Sequence, residues 1–190
     1  MPEAIGPLDV IRVLSCANVP CVLVGAYALA GWLKEPRATK DVGVVVAARH
    51  HARALGAIRT AYPALEMRDT PVVTRFIDAG RGFAVIDVIK TNQPLTRSVL
   101  RHTRAVGGRR PYRIPTLEMA LALKFAPMTS PFREDQKKYQ DAADFIALVK
   151  FNPTIDLRKL VQLGELVYSG GGKEIVEMVR RVRAGERLEL

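Results

Sequence analysis

Val24-Gly-Ala-Tyr-Ala-Leu-Ala-Gly-Trp-Leu-Lys-Glu-Pro-Arg37-Ala-Thr39-Lys-Asp41-Val-Gly43-Val-Val-Val46 joins two apolar runs through a small-residue turn and a polar loop. The run before it, Cys21–Val24, is short, apolar and closed by Gly25, the pattern of a buried strand. Residues 26–33 follow at once, rich in Ala and Leu, and read as a helix. Val42–Val46 is almost pure valine and reads as a second buried strand. Small residues where a strand opens into a helix, here Gly25 and Ala26, let a phosphate approach backbone N–H groups. The loop then carries a fixed cation (Arg37), a hydroxyl (Thr39) and a carboxylate (Asp41) at the mouth of the valine strand.

The flanking chain extends this pattern. Residues 8–17 place apolar side chains at helical spacing, and residues 48–61 read as a basic helix whose His50-His51 pair is expected to be solvated. Residues 72–77 and Phe83–Ile89 read as strands joined by a glycine-containing hairpin turn, and a second hairpin is expected around Gly107-Gly108. Thr116 is placed to cap a helix reaching about residue 126, with a break at Pro127. Three further helices are expected over 132–150, 156–167 and 173–183, with Gly170-Gly-Gly as a flexible joint. The expected fold class is α/β (α+β), with a mixed-sheet core over 1–115 followed by a C-terminal helical region over 116–190 packed on it.

A second carboxylate, Asp87, interrupts the apolar run Phe83-Ala-Val-Ile-Asp-Val-Ile. A charge there is costly unless it is paired or meets a cation. Two carboxylates on neighbouring strands beside a phosphate-binding turn suit Mg²⁺, which takes one or two carboxylates together with substrate phosphates and water.

The 190 residues carry 29 basic and 19 acidic side chains, a net charge of +10. Residues 1–113 hold 17 of the basic and 8 of the acidic groups, and the densest stretch, 97–113, has six arginines and no acid. Such a surface concentrates anionic partners, nucleotides or RNA among them. With 48% apolar and 25% charged residues, disordered and collagen-like chains are excluded. The uncharged stretch 19–33 contains Pro20, Gly25 and Gly31 and is too short and interrupted to span a membrane. Cys16 and Cys21, separated by four residues, have no zinc-finger spacing and are expected to be reduced thiols in a cytoplasmic protein. No P-loop, dinucleotide-binding glycine motif, G-x-S-x-G elbow or H-E-x-x-H pair is present.

The Gly25 turn, Arg37-x-Thr39-x-Asp41 and the later Asp87 together resemble the nucleotidyltransferase superfamily with the polymerase-beta-like fold. In particular they look like the small bacterial branch of AbiEii-type toxins and minimal nucleotidyltransferases. The resemblance covers about residues 8–150. It implies transfer of a nucleoside monophosphate from an NTP to a nucleic-acid acceptor, tRNA included, or to a protein, with Mg²⁺ or Mn²⁺ on Asp41 and Asp87. It further implies nucleotide contacts from Gly25, Ala26, Arg37, Thr39 and Lys124, and allows an antitoxin-type protein partner. Two positions depart from the family pattern. Ala26 stands where a second Gly or Ser is usual, and Gly43 stands where the second aspartate of an Asp-x-Asp pair is expected. Residues i and i+2 of a strand share a face, so Gly43 removes a carboxylate from the metal face. The alternative is therefore a catalytically degenerate module that binds nucleotide, RNA or a partner protein. On the helix over 132–150, Arg133, Lys137 and Asp141 recur every four residues and Asp144 follows. They read either as a solvated row of i,i+4 pairs or as basic groups reaching triphosphate.

Overall fold

Valine dictates the centre of the sheet. In the computed structural model, which describes residues 5–35, 37–109 and 111–188, β2 (Val42–Val46) is buried along its whole length. It lies between β1 (Cys21–Val24), antiparallel to it, and β5 (Phe83–Ile89), parallel to it. Outward from β5 run β4 (Val73–Asp78) and the edge strand β3 (Glu66–Asp69), each antiparallel to its neighbour. Outward from β1 run β7 (Tyr112–Pro115), parallel to it, and β6 (Thr103–Val106), antiparallel to β7. The seven-stranded mixed sheet has the order β3-β4-β5-β2-β1-β7-β6.

The two faces of the sheet differ in chemistry. Val42, Val44, Val46, Ile86, Val88, Phe76 and Thr74 share one face by register, and all are fully buried. That face meets α3 (His51–Ala61), because His51 Nε2 lies 3.1 Å from Thr74 Oγ1. A single 3₁₀ turn, Ala48–His50, leads into α3, and α1 (Pro7–Cys16) packs against α3 and β1. Gly43, Asp87 and Arg75 lie directly across from one another on the opposite face. His51 is thus engaged with the sheet rather than solvated.

The chain divides into two compact units, Met1–Ala28 with Pro36–Pro115, and Leu29–Glu35 with Thr116–Leu190. The second unit is helical. α5 (Leu117–Met128) starts at Thr116, whose Oγ1 accepts from the Met119 N–H at 3.4 Å. It is apolar nearly all round and therefore buried. α6 (Asp135–Phe151), α7 (Leu157–Glu165) and α8 (Gly171–Ala184) complete the unit.

Several sequence expectations shift. Residues 26–33 form only a short helix, α2 (Ala26–Leu29), with one further turn closed by Leu33 N to Leu29 O at 2.9 Å. α5 runs past residue 126 and carries Pro127 in its last turn. Residues 132–134 precede α6 rather than opening it. Gly171 and Gly172 are not a joint but the first turn of α8, pressed against α7: a Cβ on Gly164 would lie 2.6 Å from Gly171 O. β3 and α4 (Pro94–Val99) have no counterpart in the hydrophobic pattern.

Candidate functional site

Gly25 ends β1 with φ of +73°, a left-handed conformation that costs an L side chain about 1–2 kcal/mol. Nothing lies within 4 Å of a Cβ built there, so backbone conformation and not space demands the glycine. The turn it makes puts Ala26 at the first position of α2. Tyr27 then donates its hydroxyl to the Thr39 carbonyl at 3.4 Å, tying α2 to the loop before β2. Arg37 is exposed and donates to the Ala38 carbonyl. Thr39 Oγ1 donates to Asp41 Oδ1 at 2.5 Å, which orients that carboxylate from within its own loop.

Asp41 is exposed and immediately precedes β2. Strand alternation carried one residue back puts its side chain on the face of Gly43. Gly43 lies directly across from Asp87 in the parallel β2–β5 ladder. By that extension Asp41, just before β2, lies toward the face of Asp87 on β5, offset by one two-residue step. This face is the one opposite α3.

Asp87 is half-buried and has a basic neighbour. Arg75 lies across from it on β4, with Nε 3.6 Å from Asp87 Oδ1. Gly43 leaves Asp87 without a second carboxylate beside it, and its cross-strand neighbour on β1, Val24, leans over the bare position. Asp78 closes its own hairpin instead, accepting from Arg81 N and pairing with its guanidinium at 3.4 Å.

Lys124 belongs to the helical unit. It is 7% exposed, and its Nζ lies 2.9 Å from Asp141 Oδ1 and 2.7 Å from Asp144 Oδ2. Arg133 completes the cluster, donating to Asp141 Oδ2 at 2.8 Å. The expected solvated row on α6 is thus half interior. Asp141 and Asp144 are buried and bonded to α5, while Lys137 is exposed and pairs with Glu134. The signal was present in α5, where one lysine in an apolar helix calls for buried anions.

The two arginines of the 97–113 stretch that lie on strands face opposite ways. Arg113 shares the face of Val22, and hence of Asp87, whereas Arg104 pairs with Ile114 on the other face. Arg110 lies outside the described residues. Arg75, which carries no motif in the sequence, lies beside Asp87.

Among the described residues no group of three or more His, Cys, Asp or Glu side chains is placed to hold a metal. Two carboxylates on one face fit a single Mg²⁺ or Mn²⁺ that takes its remaining ligands from nucleotide phosphates and water, but not a pair of ions. Among the same residues no helix is long and apolar enough to cross a membrane.

No protein-family model matches the sequence, and no curated protein matches it. Solved structures do match the fold. An antigenic nucleotidyltransferase-like protein from Paracoccidioides brasiliensis aligns over 95% of this chain and 93% of its own, with a TM-score of 0.54 and 14% identity. JHP933 from Helicobacter pylori aligns over 97% and 94%, with a TM-score of 0.55 and 16% identity. The lincosamide antibiotic adenylyltransferase LnuA, bound to lincomycin, aligns over 74% and 94%, with a TM-score of 0.51 and 11% identity. The chain has a nucleotidyltransferase-like α/β fold.

Proposed function

We propose that this protein transfers a nucleoside monophosphate from an NTP to a nucleic-acid acceptor, and that Asp41 and Asp87 are its catalytic carboxylates. The observation that supports the proposal is the register Gly43–Asp87, which sets Asp87 across from the position two residues after Asp41 in a nucleotidyltransferase-like sheet. The Gly25-Ala26 turn and Arg37 would bind the triphosphate, and Thr39 would orient Asp41 through the bond it already makes. In the transfer, an acceptor oxygen bonds to the α-phosphorus. The bond from that phosphorus to the β-phosphate oxygen breaks and pyrophosphate leaves. The acceptor proton passes to Asp41, the more exposed carboxylate. A Mg²⁺ held by Asp41 and Asp87 would supply charge neutralisation on the phosphate oxygens. Lys124 enters this reading as the group that holds Asp141 and Asp144 together within the helical unit. A cytoplasmic setting, an AbiEii-type relationship and an antitoxin-type partner extend the same reading.

The test is incubation with labelled NTPs, Mg²⁺ and total RNA, using wild type, Asp41→Asn and Gly43→Asp. Transfer by wild type that Asp41→Asn abolishes supports the reading. No transfer by wild type or by Gly43→Asp defeats it.

Gly43 and the Arg75–Asp87 pair favour a second reading, a module that binds nucleotide or RNA and no longer transfers. It predicts NTP binding without label transfer in wild type, with transfer appearing in Gly43→Asp. Label transfer by wild type at the rate of Gly43→Asp excludes it.

A further inference from the structure

The face that carries Asp87 continues outward as a row of cations. Arg68 on β3 lies directly across from Arg75 on β4, and Arg75 directly across from Asp87 on β5. Residues directly opposite in a ladder share a face, so these three side chains and Gly43 form one line across four strands. The bulge in the β4–β5 ladder falls after Phe76 and leaves the line intact. Neighbouring strands are about 4.8 Å apart, which puts the Arg75 and Arg68 backbones about 5 and 10 Å from that of Asp87. Arg68 is exposed on the edge strand, and Arg75 keeps 42% of its side chain exposed, with its Nε 3.6 Å from Asp87 Oδ1. On the far side of the carboxylates, Arg113 occupies the same face and is held by its Nε bond to Thr103 Oγ1 at 2.8 Å. Besides Asp87 itself, Glu66 shares the face of these arginines, two residues before Arg68. Asp69 is on the α3 face, bonded to Thr74 and Lys90.

We infer that Arg68 and Arg75 form the acceptor track of the site, binding successive phosphates of a nucleic-acid strand that leads its reacting end toward Asp41 and Asp87. Guanidinium groups suit this work because their planar donors match phosphate oxygens and stay charged at any working pH. Each phosphate contact releases counterions, so the track makes binding salt-dependent. The inference rests on the carboxylate reading for its direction along the sheet, but the binding surface itself requires no metal, NTP or turnover. It places strand recognition on β3 and β4 rather than on the arginine-rich stretch 97–113, whose two strand arginines, Arg104 and Arg113, lie on opposite faces.

The experiment measures fluorescence anisotropy of labelled single-stranded RNA and of DNA of the same sequence, without NTP or divalent cation, across a salt series. Wild type is expected to bind. Arg68→Glu is expected to weaken binding about tenfold or more, and Arg68→Gln to flatten the salt slope by about one phosphate contact. Arg75→Lys keeps a charge beside Asp87 and is expected to weaken binding less than Arg75→Gln. Arg104→Glu, on the opposite face, changes net charge equally and is expected to have a much smaller effect. Equal losses in Arg68→Glu and Arg104→Glu, or unchanged affinity in Arg68→Glu, overturn the inference, as does a wild type that binds neither strand at low salt. RNA bound more tightly than DNA identifies contacts to the 2′-hydroxyl, and equal affinity identifies phosphate contacts alone; both are consistent with the track. ATP affinity measured separately on the same proteins reports on the nucleotide site, so loss of one reading leaves the other standing.

Discussion

Val24 lies directly across the β1–β2 ladder from Gly43, and a Cβ placed on Gly43 would meet Val24 Cγ2 at 3.2 Å. The approach is tight, but the obstructing atom is the tip of a side chain and not backbone. Gly43→Asp is therefore expected to fold, with a stability loss of about 1–2 kcal/mol. Val24→Ala in the same protein is expected to recover part of it. Thermal melts of the single and double variants check this. Mn²⁺ binding followed by electron paramagnetic resonance should tighten in Gly43→Asp, because a second carboxylate is returned to the face of Asp41 and Asp87.

Lys124 holds two buried carboxylates at once. Lys124→Met leaves Asp141 with Arg133 and removes the ammonium bonded to Asp144. The expected loss is about 3–5 kcal/mol, the range for breaking a buried ion pair from one side. Arg133→Gln should cost less, since that guanidinium is partly exposed and removes only one contact from Asp141. Urea denaturation of both variants should show that order, and equal costs would contradict it.

Gly164 and Gly171 permit α7 and α8 to touch through their backbones, with a Cβ on Gly171 only 2.5 Å from Gly164 O. Gly171→Ala is expected to lower stability by about 3 kcal/mol or more, because the obstructing atoms are main chain. Gly56→Ala is the contrast: nothing lies within 4 Å of its Cβ, and it sits inside α3, so it should stabilise by about 0.5–1 kcal/mol. Opposite shifts in melting temperature are the expected result.

A hydrogen-bond chain runs from His51 through Thr74 to Asp69 and Lys90. Thr74 spends its one hydroxyl proton on Asp69, so His51 Nε2 is the donor toward Thr74. Burial, then the nearby Lys90 cation, hold the His51 pKa below its ordinary value of 6.5. The unfolded chain thus binds the extra proton first, and stability falls as pH drops below about 6.5. Bonds from Thr74 and Lys90 likewise depress the Asp69 pKa, and its contribution is lost as pH falls through the folded-state value, below 3.8. Melting temperatures from pH 8 down to pH 5 should decline more in wild type than in His51→Asn, and NMR titration of His51 should give a midpoint below 6.5.

The parts of this fold legible in the sequence are those where burial is one-sided or complete. Val42–Val46 and Phe83–Ile89 announce themselves through β-branched residues, and Asp87 through the cost of its charge among them. β3 leaves no such trace because all four residues, Glu66-Met-Arg-Asp, are exposed on an edge. The helix after Gly25 is shorter than its Ala-Leu composition suggests, since two turns rich in helix formers need tertiary support to extend. For the candidate site, Gly25, Arg37, Thr39 and Asp41 fall in one stretch of sequence and can be read together, with Asp87 on a later strand. The row Arg68–Arg75–Asp87 is not, because it exists only through strand register. Clustering along the chain over 97–113 suggested a basic patch, but alternation sends Arg104 and Arg113 to opposite faces.

The excursion Leu29–Glu35 has a topological cost for anyone who would separate the two units. The polypeptide passes between them three times, near residues 28, 35 and 115, so no single cut yields both halves intact. A fragment beginning at Thr116 lacks the Trp32 carbonyl that accepts from Asn152 Nδ2 at 3.1 Å. A fragment ending at Pro115 carries away seven residues that belong to the helices. Proteolytic nicking in the 29–35 excursion is accordingly expected to loosen both halves together, whereas a nick after Gly185 should disturb only the last helix.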